Sequence, residues 1–293
     1  YVPHAFGWKA MNVPFAAWVA GRARRAAPVW VMFHEVAFPL RRWPPTHALL
    51  GAVTRLTARL LAGAADRVFV SIPAWADLLR RLCPPGRPPE WLPVPCNVGV
   101  GADPAAVAAV RDRHEGDPLI GHFGTFGAQI TDLLGPAAAA VLRGHPAARL
   151  LLLGRGSDRY LSAFAAANPD VAGRAAAAGE LPPADVPNYL RACDLLLQPF
   201  PDGVSSRRTS VMAGLANGVP VVSNLGFLSE PLWGESRAVA TAPGPNAAAL
   251  AAAVTGLLDA GPGGREAVGS AGRALYEAAF APARTIAQLR GAG

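Results

Sequence analysis

Residues 194–224, DLLLQPFPDGVSSRRTSVMAGLANGVPVVSN, constrain the fold more than any other stretch of the chain. Asp194 to Pro199 holds the apolar run Leu195-Leu196-Leu197, short enough for a buried strand. Pro199, Pro201, Asp202 and Gly203 break it into a loop. The spacing of Val211, Met212, Leu215 and Ala216 predicts a helix, which Ser205 and Ser206 are placed to cap. Gly218 stops that helix and Pro220-Val221-Val222 opens a second strand. Strand, helix and strand in this order demand a parallel sheet with a crossover helix.

The same rhythm runs through the rest of the sequence. Further strands are predicted at Val29–Phe33, Arg67–Ile72, over PLIGHFG from Pro118, at Arg149–Leu153, and just before Gly179. Helices are predicted over Asn12–Arg25, Leu49–Leu61, Pro73–Leu82, Asp132–Leu142, Tyr160–Ala167, Pro183–Cys193, Ala247–Asp259, Gly264–Glu277 and Pro282–Leu289. Tyr1–Gly7 reads as a strand end followed by a turn. Trp43-Pro44-Pro45 and the Pro84–Pro89 loop interrupt the first part of the chain. At 293 residues, 52% hydrophobic and 16% charged, there is material for two cores and none of the signature of global disorder. No repeat of solenoid period is present.

The chemistry concentrates where the helix of the 194–224 segment begins. Arg207 and Arg208, flanked by Ser205, Ser206, Thr209 and Ser210, sit where unpaired backbone N–H groups and the helix dipole favour an anion. Each guanidinium forks onto phosphate oxygens two at a time, so a diphosphate is the natural guest. A capped helix with two solvated arginines is the plainer alternative, and these residues alone leave both open.

The segment resembles the donor-site signature of glycosyltransferase family 4 and related retaining enzymes, with Gly218, Pro220, Val221 and Val222 matching the family's "G-x-P-V-V" strand. The resemblance implies a GT-B fold: two Rossmann-like α/β domains of parallel sheet facing a cleft. Residues 1–97 would form an acceptor-side domain and 98–293 a donor-binding domain with closing helices; Trp91–Asn97 resembles the crossing between them. Because the chain starts at Tyr1, the first domain is expected to be incomplete. The implied function is transfer of a sugar from a nucleotide diphosphate donor to a glycan, lipid-linked or small-molecule acceptor, with retention, with no cofactor and no catalytic metal. The family's two glutamates fall on Ser205 and Ala213, neither of which does a carboxylate's work. That departure keeps two alternatives in view. One is a non-catalytic nucleotide-sugar-binding homologue or partner subunit. The other is a sugar-nucleotide epimerase of the same architecture, with Glu35, Glu180 and Glu230 as its candidate carboxylates.

Other positions follow from the same resemblance. His34 at a strand end is a catalytic candidate with Arg207 and Arg208, and Glu35 beside it is an acceptor-side candidate; the plainer reading is a buried pair tying strand to loop. The turn Gly124-Thr125-Phe126-Gly127 places glycines where backbone N–H groups approach phosphate oxygens. The family's lysine-glycine pair is absent after this turn, so Arg207, Arg208 or Arg155 must supply the charge. Gly154-Arg155-Gly156 resembles the turn beneath the donor nucleotide, and Leu181 falls in the loop that brackets the nucleobase. The donor-binding set is thus Gly124, Thr125, Gly127, Arg155, Leu181, Ser205, Ser206, Thr209 and Ser210.

Several classes are disfavoured. The net charge of +7 comes from scattered arginines with no basic run, so nucleic acid is not an expected partner. Arg22, Arg24 and Arg25, with Arg41 and Arg42, mark where a weak peripheral contact with anionic lipid is the secondary expectation. Three cysteines without metal spacing suit a reducing cytoplasm, at the inner face of the membrane if lipid is touched. Histidines at 4, 47, 114, 122 and 145 form no ligand pair of metalloprotease type.

Overall fold

A computed structural model describes residues 1–5, 7, 11–23, 28–40, 45–83, 87–115 and 117–291. The chain divides into two compact units, Tyr1–Val94 and Pro95–Gly293.

In the first unit, β1 (Trp30–Phe33), β2 (Arg67–Val70) and β3 (Glu90–Trp91) form a parallel sheet in that order, with α1 (Val13–Ala23), α2 (Pro45–Ala64) and α3 (Pro73–Arg80) between and beside them. Phe33, Val68 and Val70 face Ala58, Leu61 and Leu79 in its core. The His34 N–H donates to the Tyr1 carbonyl at 3.0 Å, so the chain's first residue runs beside the end of β1. Arg24, Arg25, Arg41, Arg42 and the Trp43-Pro44 break lie outside the described residues.

The second unit opens with α4 (Pro104–His114), which the sequence reading passed over. Its signals are short-range ones. Asp103 caps it by accepting from the Ala105 N–H at 3.0 Å, and Pro104 takes the first helical position. Its alanine-rich faces lack the apolar stripe that marks the other helices. The sheet follows: β4 (Leu119–Phe123), α5 (Ala128–Gly144), β5 (Arg149–Leu153), α6 (Ser157–Ala167), β6 (Ala175–Gly179), α7 (Val186–Ala192), β7 (Leu195–Leu197), α8 (Thr209–Ala216), β8 (Val221–Asn224), α9 (Leu232–Glu235) and β9 (Ala240–Ala242). The closing helices are α10 (Ala247–Asp259), α11 (Gly261–Leu275) and α12 (Pro282–Leu289), with a π-helical turn at Tyr276–Phe280 between the last two.

All six strands are parallel, in the order β6-β5-β4-β7-β8-β9. Counted within this unit the order is 3-2-1-4-5-6, the doubly wound Rossmann arrangement. Leu150, Leu152, Leu195, Leu197 and Val222 project from the sheet into a core with Leu134, Leu142, Leu250 and Val254. The strands read as continuous apolar runs because helices cover both faces.

Candidate functional site

Backbone pairing between β4 and β7 ends at Gly121 and Leu196, although β4 stays paired with β5 as far as Phe123. The strand order reverses across this gap, which makes it the topological switch point where open α/β sheets hold ligands. Two side chains span it. His122 Nδ1 donates to the Leu197 carbonyl at 2.8 Å, and Gln198 Nε2 donates back to the Phe123 carbonyl at 3.0 Å. A carbonyl only accepts, so the ring proton sits on Nδ1 and Nε2 presents a lone pair. Burial lowers the His122 pKa to about 4, against the opposing pull of the Leu197 and Thr125 carbonyls. His122 Nε2 and Gln198 Oε1 are buried and have no hydrogen-bond partner among the described residues.

The polar row continues across the sheet. Ser223 Oγ donates to the Gln198 carbonyl at 2.6 Å. Asn224 clasps the Phe200 backbone, Oδ1 accepting its N–H at 2.9 Å and Nδ2 donating to its carbonyl at 2.8 Å. Sequence reasoning missed His122, Gln198 and Asn224. The available signal was a polar side chain inside or directly after a run otherwise apolar enough to be buried on both faces.

The segment after β7 departs from expectation. Its helix begins at Thr209 with Arg208 as N-cap and no side-chain cap, so Ser205 and Ser206 do not cap it. The physical reason lies in Glu230. Its buried carboxylate accepts from the Ser206 N–H at 3.0 Å, from the Ser206 hydroxyl, and from Trp233 Nε1 at 2.6 Å. A hydroxyl held there cannot reach forward to a helix N–H. Ser205 is buried as well, and its hydroxyl has no partner among the described residues.

Arg207 and Arg208 both pair with Asp202, and the Arg208 guanidinium lies 4.3 Å from the centre of the Phe200 ring. Their side chains are 15% and 21% exposed and that of Asp202 is 14% exposed, so solvent screens this triad weakly. Both guanidiniums stand just before the first turn of α8. The N–H groups of Thr209, Ser210 and Val211 there have no earlier helical turn to receive them.

The turn after β4 adjoins this helix end: a Cβ on Gly124 would stand 3.9 Å from Ser210 Oγ. Gly154 packs beneath the turn with φ of +119°, where a Cβ would meet the Gly124 carbonyl oxygen at 2.3 Å. The Gly124 N–H donates to the Leu153 carbonyl at 3.0 Å. Thr125 and Gly127 are exposed, and Gly127 is the N-cap of α5.

The structure thus brings Gly124, Thr125, Gly127, Thr209 and Ser210 to one end of the sheet, with Arg207 and Arg208 leading into α8. Arg155, next to Gly154, forms an exposed two-pronged pair with Glu180, at 3.1 and 2.9 Å. Leu181 is half-buried in the loop after β6. His34 and Glu35 belong to the first unit. The His34 carbonyl accepts from Ser71 Oγ at 3.0 Å and Trp75 Nε1 at 2.9 Å, while Glu35 pairs with His4 Nδ1 at 3.2 Å. Glu180 is exposed and paired with Arg155, whereas Glu230 is buried against Ser206 and Trp233. Among the described residues no group of three or more His, Cys, Asp or Glu side chains is arranged to hold a metal, and no helix is long and apolar enough to cross a membrane.

Comparison with known proteins adds the family. Residues 117–260 match the family described as Glycosyl transferases group 1. Among solved structures, sucrose-phosphate synthase from Thermosynechococcus elongatus is similar with a TM-score of 0.70 at 19% identity, over 94% of this chain and 69% of that one. Anabaena HepE, solved in complex with UDP-glucose, gives a TM-score of 0.70 at 19% identity, over 97% and 75%. WaaG, a glycosyltransferase involved in lipopolysaccharide biosynthesis, gives 0.67 at 16%, over 96% and 83%. A comparison with curated protein sequences finds no match. The chain therefore carries, over residues 117–260, a glycosyltransferase domain of the Glycosyl transferases group 1 family, on the GT-B fold.

Proposed function

We propose that the protein transfers a sugar from a nucleotide diphosphate donor to a glycan, lipid-linked or small-molecule acceptor, with retention, its own cations rather than a bound metal meeting the leaving-group charge. The observation that carries the reading is the meeting of the Gly124–Gly127 turn with the amino end of α8, at the switch point and inside the segment that matches the family. The UDP-glucose bound by Anabaena HepE supports a donor of the same chemical kind.

The diphosphate leaves with about two negative charges, and more develops on the bridging oxygen as the bond to the sugar breaks. Arg207, Arg208 and the first-turn N–H groups of α8 meet that charge. Asp202 holds both guanidiniums in place beforehand, so little reorganisation is needed at the moment of reaction. The acceptor oxygen forms its bond to the sugar on the face the diphosphate leaves, and the acceptor's proton passes to the departing phosphate. Within residues 1–97 His34 is the catalytic candidate and Glu35 serves the acceptor; residues 98–293 hold the donor.

The test is a thermal-shift panel of uridine, guanosine, adenosine and cytidine diphosphates with their sugars. At a hundredfold excess over Kd a true donor raises stability by about 2.7 kcal/mol, a Tm rise of about 5 to 10 °C. Arg207→Ala should then cut turnover about 10- to 1000-fold, the range for losing one transition-state donor. A panel with no shift, or a folded Arg207→Ala variant of unchanged activity, refutes the reading. A second reading, binding without turnover, draws on Ser205 and Ala213, which stand buried at the family's two acidic positions. A donor that binds yet survives a broad acceptor panel favours it.

A further inference from the structure

The six-stranded sheet carries a second polar cluster at its opposite end, where β4, β5 and β6 begin. Leu119 pairs with Arg149 and Leu150 with Ala175, so the starts of three strands meet there. The Gly124 turn lies about 16 Å away along β4, at ~3.3 Å per residue from Leu119. A cavity of about 120 Å³ opens at these strand starts. Arg113, His114 and Glu115 line it from the end of α4, Arg149 from β5, and Arg174 and Ala175 from the start of β6. Arg113 and Glu115 are exposed and β6 is an edge strand, so solvent reaches the cavity directly.

The three arginines here have only neutral partners. Arg113 donates to the Tyr189 hydroxyl at 3.3 Å, Arg149 to the Gly173 carbonyl at 3.4 Å, and Arg174 to the His145 and Pro146 carbonyls at 3.0 and 3.1 Å. Among the described residues none of them pairs with a carboxylate, whereas Arg111, Arg143 and Arg155 of the same unit do. Asp170, which acts on Arg174 from farther off, is already gripped in two-pronged fashion by Arg143. Burial, and then the charges of Arg113 and Arg149, hold the His114 imidazole below its ordinary pKa, so both cations are felt at one ring on the cavity wall. Three guanidiniums against the Glu115 carboxylate and about half a negative charge at the carboxyl end of α4 leave about +1.5. A phosphoryl group carries about −1.5 to −2 and matches that surplus. At about 30 Å³ per water the cavity has the room of about four waters, enough for one such group. We propose that this cavity is an anion site for a phosphoryl group, as free phosphate or as a phosphomonoester, held by Arg113, Arg149 and Arg174 and separate from the donor site. Guanidiniums suit that guest because each offers paired N–H donors to two oxygens.

Proton NMR of the His114 ring, its signal assigned by its loss in His114→Gln, reads this cavity apart from the cations at the other end of the sheet. Titration with inorganic phosphate should move that signal saturably, and sodium chloride at matched ionic strength should leave it in place. Arg149→Gln should weaken phosphate about 10- to 100-fold, the range for losing a hydrogen bond to a charged group. If Arg149→Gln does not fold, Arg113→Gln, at an exposed position, carries the same test in the same direction. Glycerol phosphate distinguishes the two sources of the group. Tighter binding than phosphate identifies an ester and equal or weaker binding the free ion, and either supports the site. No saturable movement, a movement that chloride reproduces, or full affinity in both Arg149→Gln and Arg113→Gln overturns it.

Discussion

Glu230→Ala should strongly destabilise the second unit. The carboxylate is 5% exposed and accepts from three donors: the Ser206 N–H, the Ser206 hydroxyl and Trp233 Nε1. The hydroxyl can rotate toward another acceptor once Glu230 is gone, but the backbone N–H and the indole cannot. Each buried donor left unmet costs about 1–3 kcal/mol, so two give about 2–6 kcal/mol, with about 4 kcal/mol as the central value. Against a typical domain stability of about 5–15 kcal/mol, that is a large fraction. In urea, with an m-value of about 2–3 kcal/mol/M for a unit of this size, the midpoint falls by about 1 to 2 M. Glu230→Gln keeps one acceptor oxygen but turns an NH2 toward a donor, and it should lose roughly half as much. Because Glu230 also fixes the turn that leads into α8, the Ala variant should bind nucleotide more weakly than its residual folded fraction explains. A loss below about 1 kcal/mol for Glu230→Ala would refute the claim that this carboxylate holds the turn in place.

Two further outcomes follow from the same geometry. His122 has a folded pKa of about 4 against 6.5 when unfolded, so the unfolded chain binds its proton first. The stability this represents is complete above about pH 6.5 and is lost as pH falls toward 4, by about 3 kcal/mol over the interval. Urea midpoints at about pH 7 and about pH 4.5 should show this slope in the wild type and its absence in His122→Asn; parallel slopes would contradict it. Gly154→Ala places a methyl 2.3 Å from the Gly124 carbonyl oxygen at a φ of +119°, so it should cost about 3 kcal/mol or more and displace the Gly124 turn. Denaturant titration measures the first effect, and nucleotide titration of the folded fraction the second.

The sequence by itself determined the secondary-structure rhythm. Local periodicity needs no tertiary information: the runs at Arg149–Leu153 and Ala247–Asp259 appear in the structure with the bounds the sequence predicts. Apolar strands alternating with helices admit one broad solution, a parallel sheet covered on both faces, because hydrogen bonding and burial are then satisfied together. The glycine turn after β4 and the arginine pair before α8 were legible for the same reason, since turn chemistry and charge are local properties. Tertiary structure alone decided what those residues touch. Ser205 and Ser206 carry the local signature of a helix cap, yet Glu230, more than twenty residues on, claims Ser206 and shifts the helix start to Thr209. Arg207 and Arg208 read from the sequence as phosphate-binding or as solvated cations, and only the fold shows that both pair with Asp202. His122 looks like one more residue of a buried strand until the sheet order places β7 beside β4 and gives its Nδ1 a carbonyl. Propensity and periodicity act over a few residues, whereas a buried polar group takes whichever partner the packed sheet brings within reach, and its neutralisation depends on that partner.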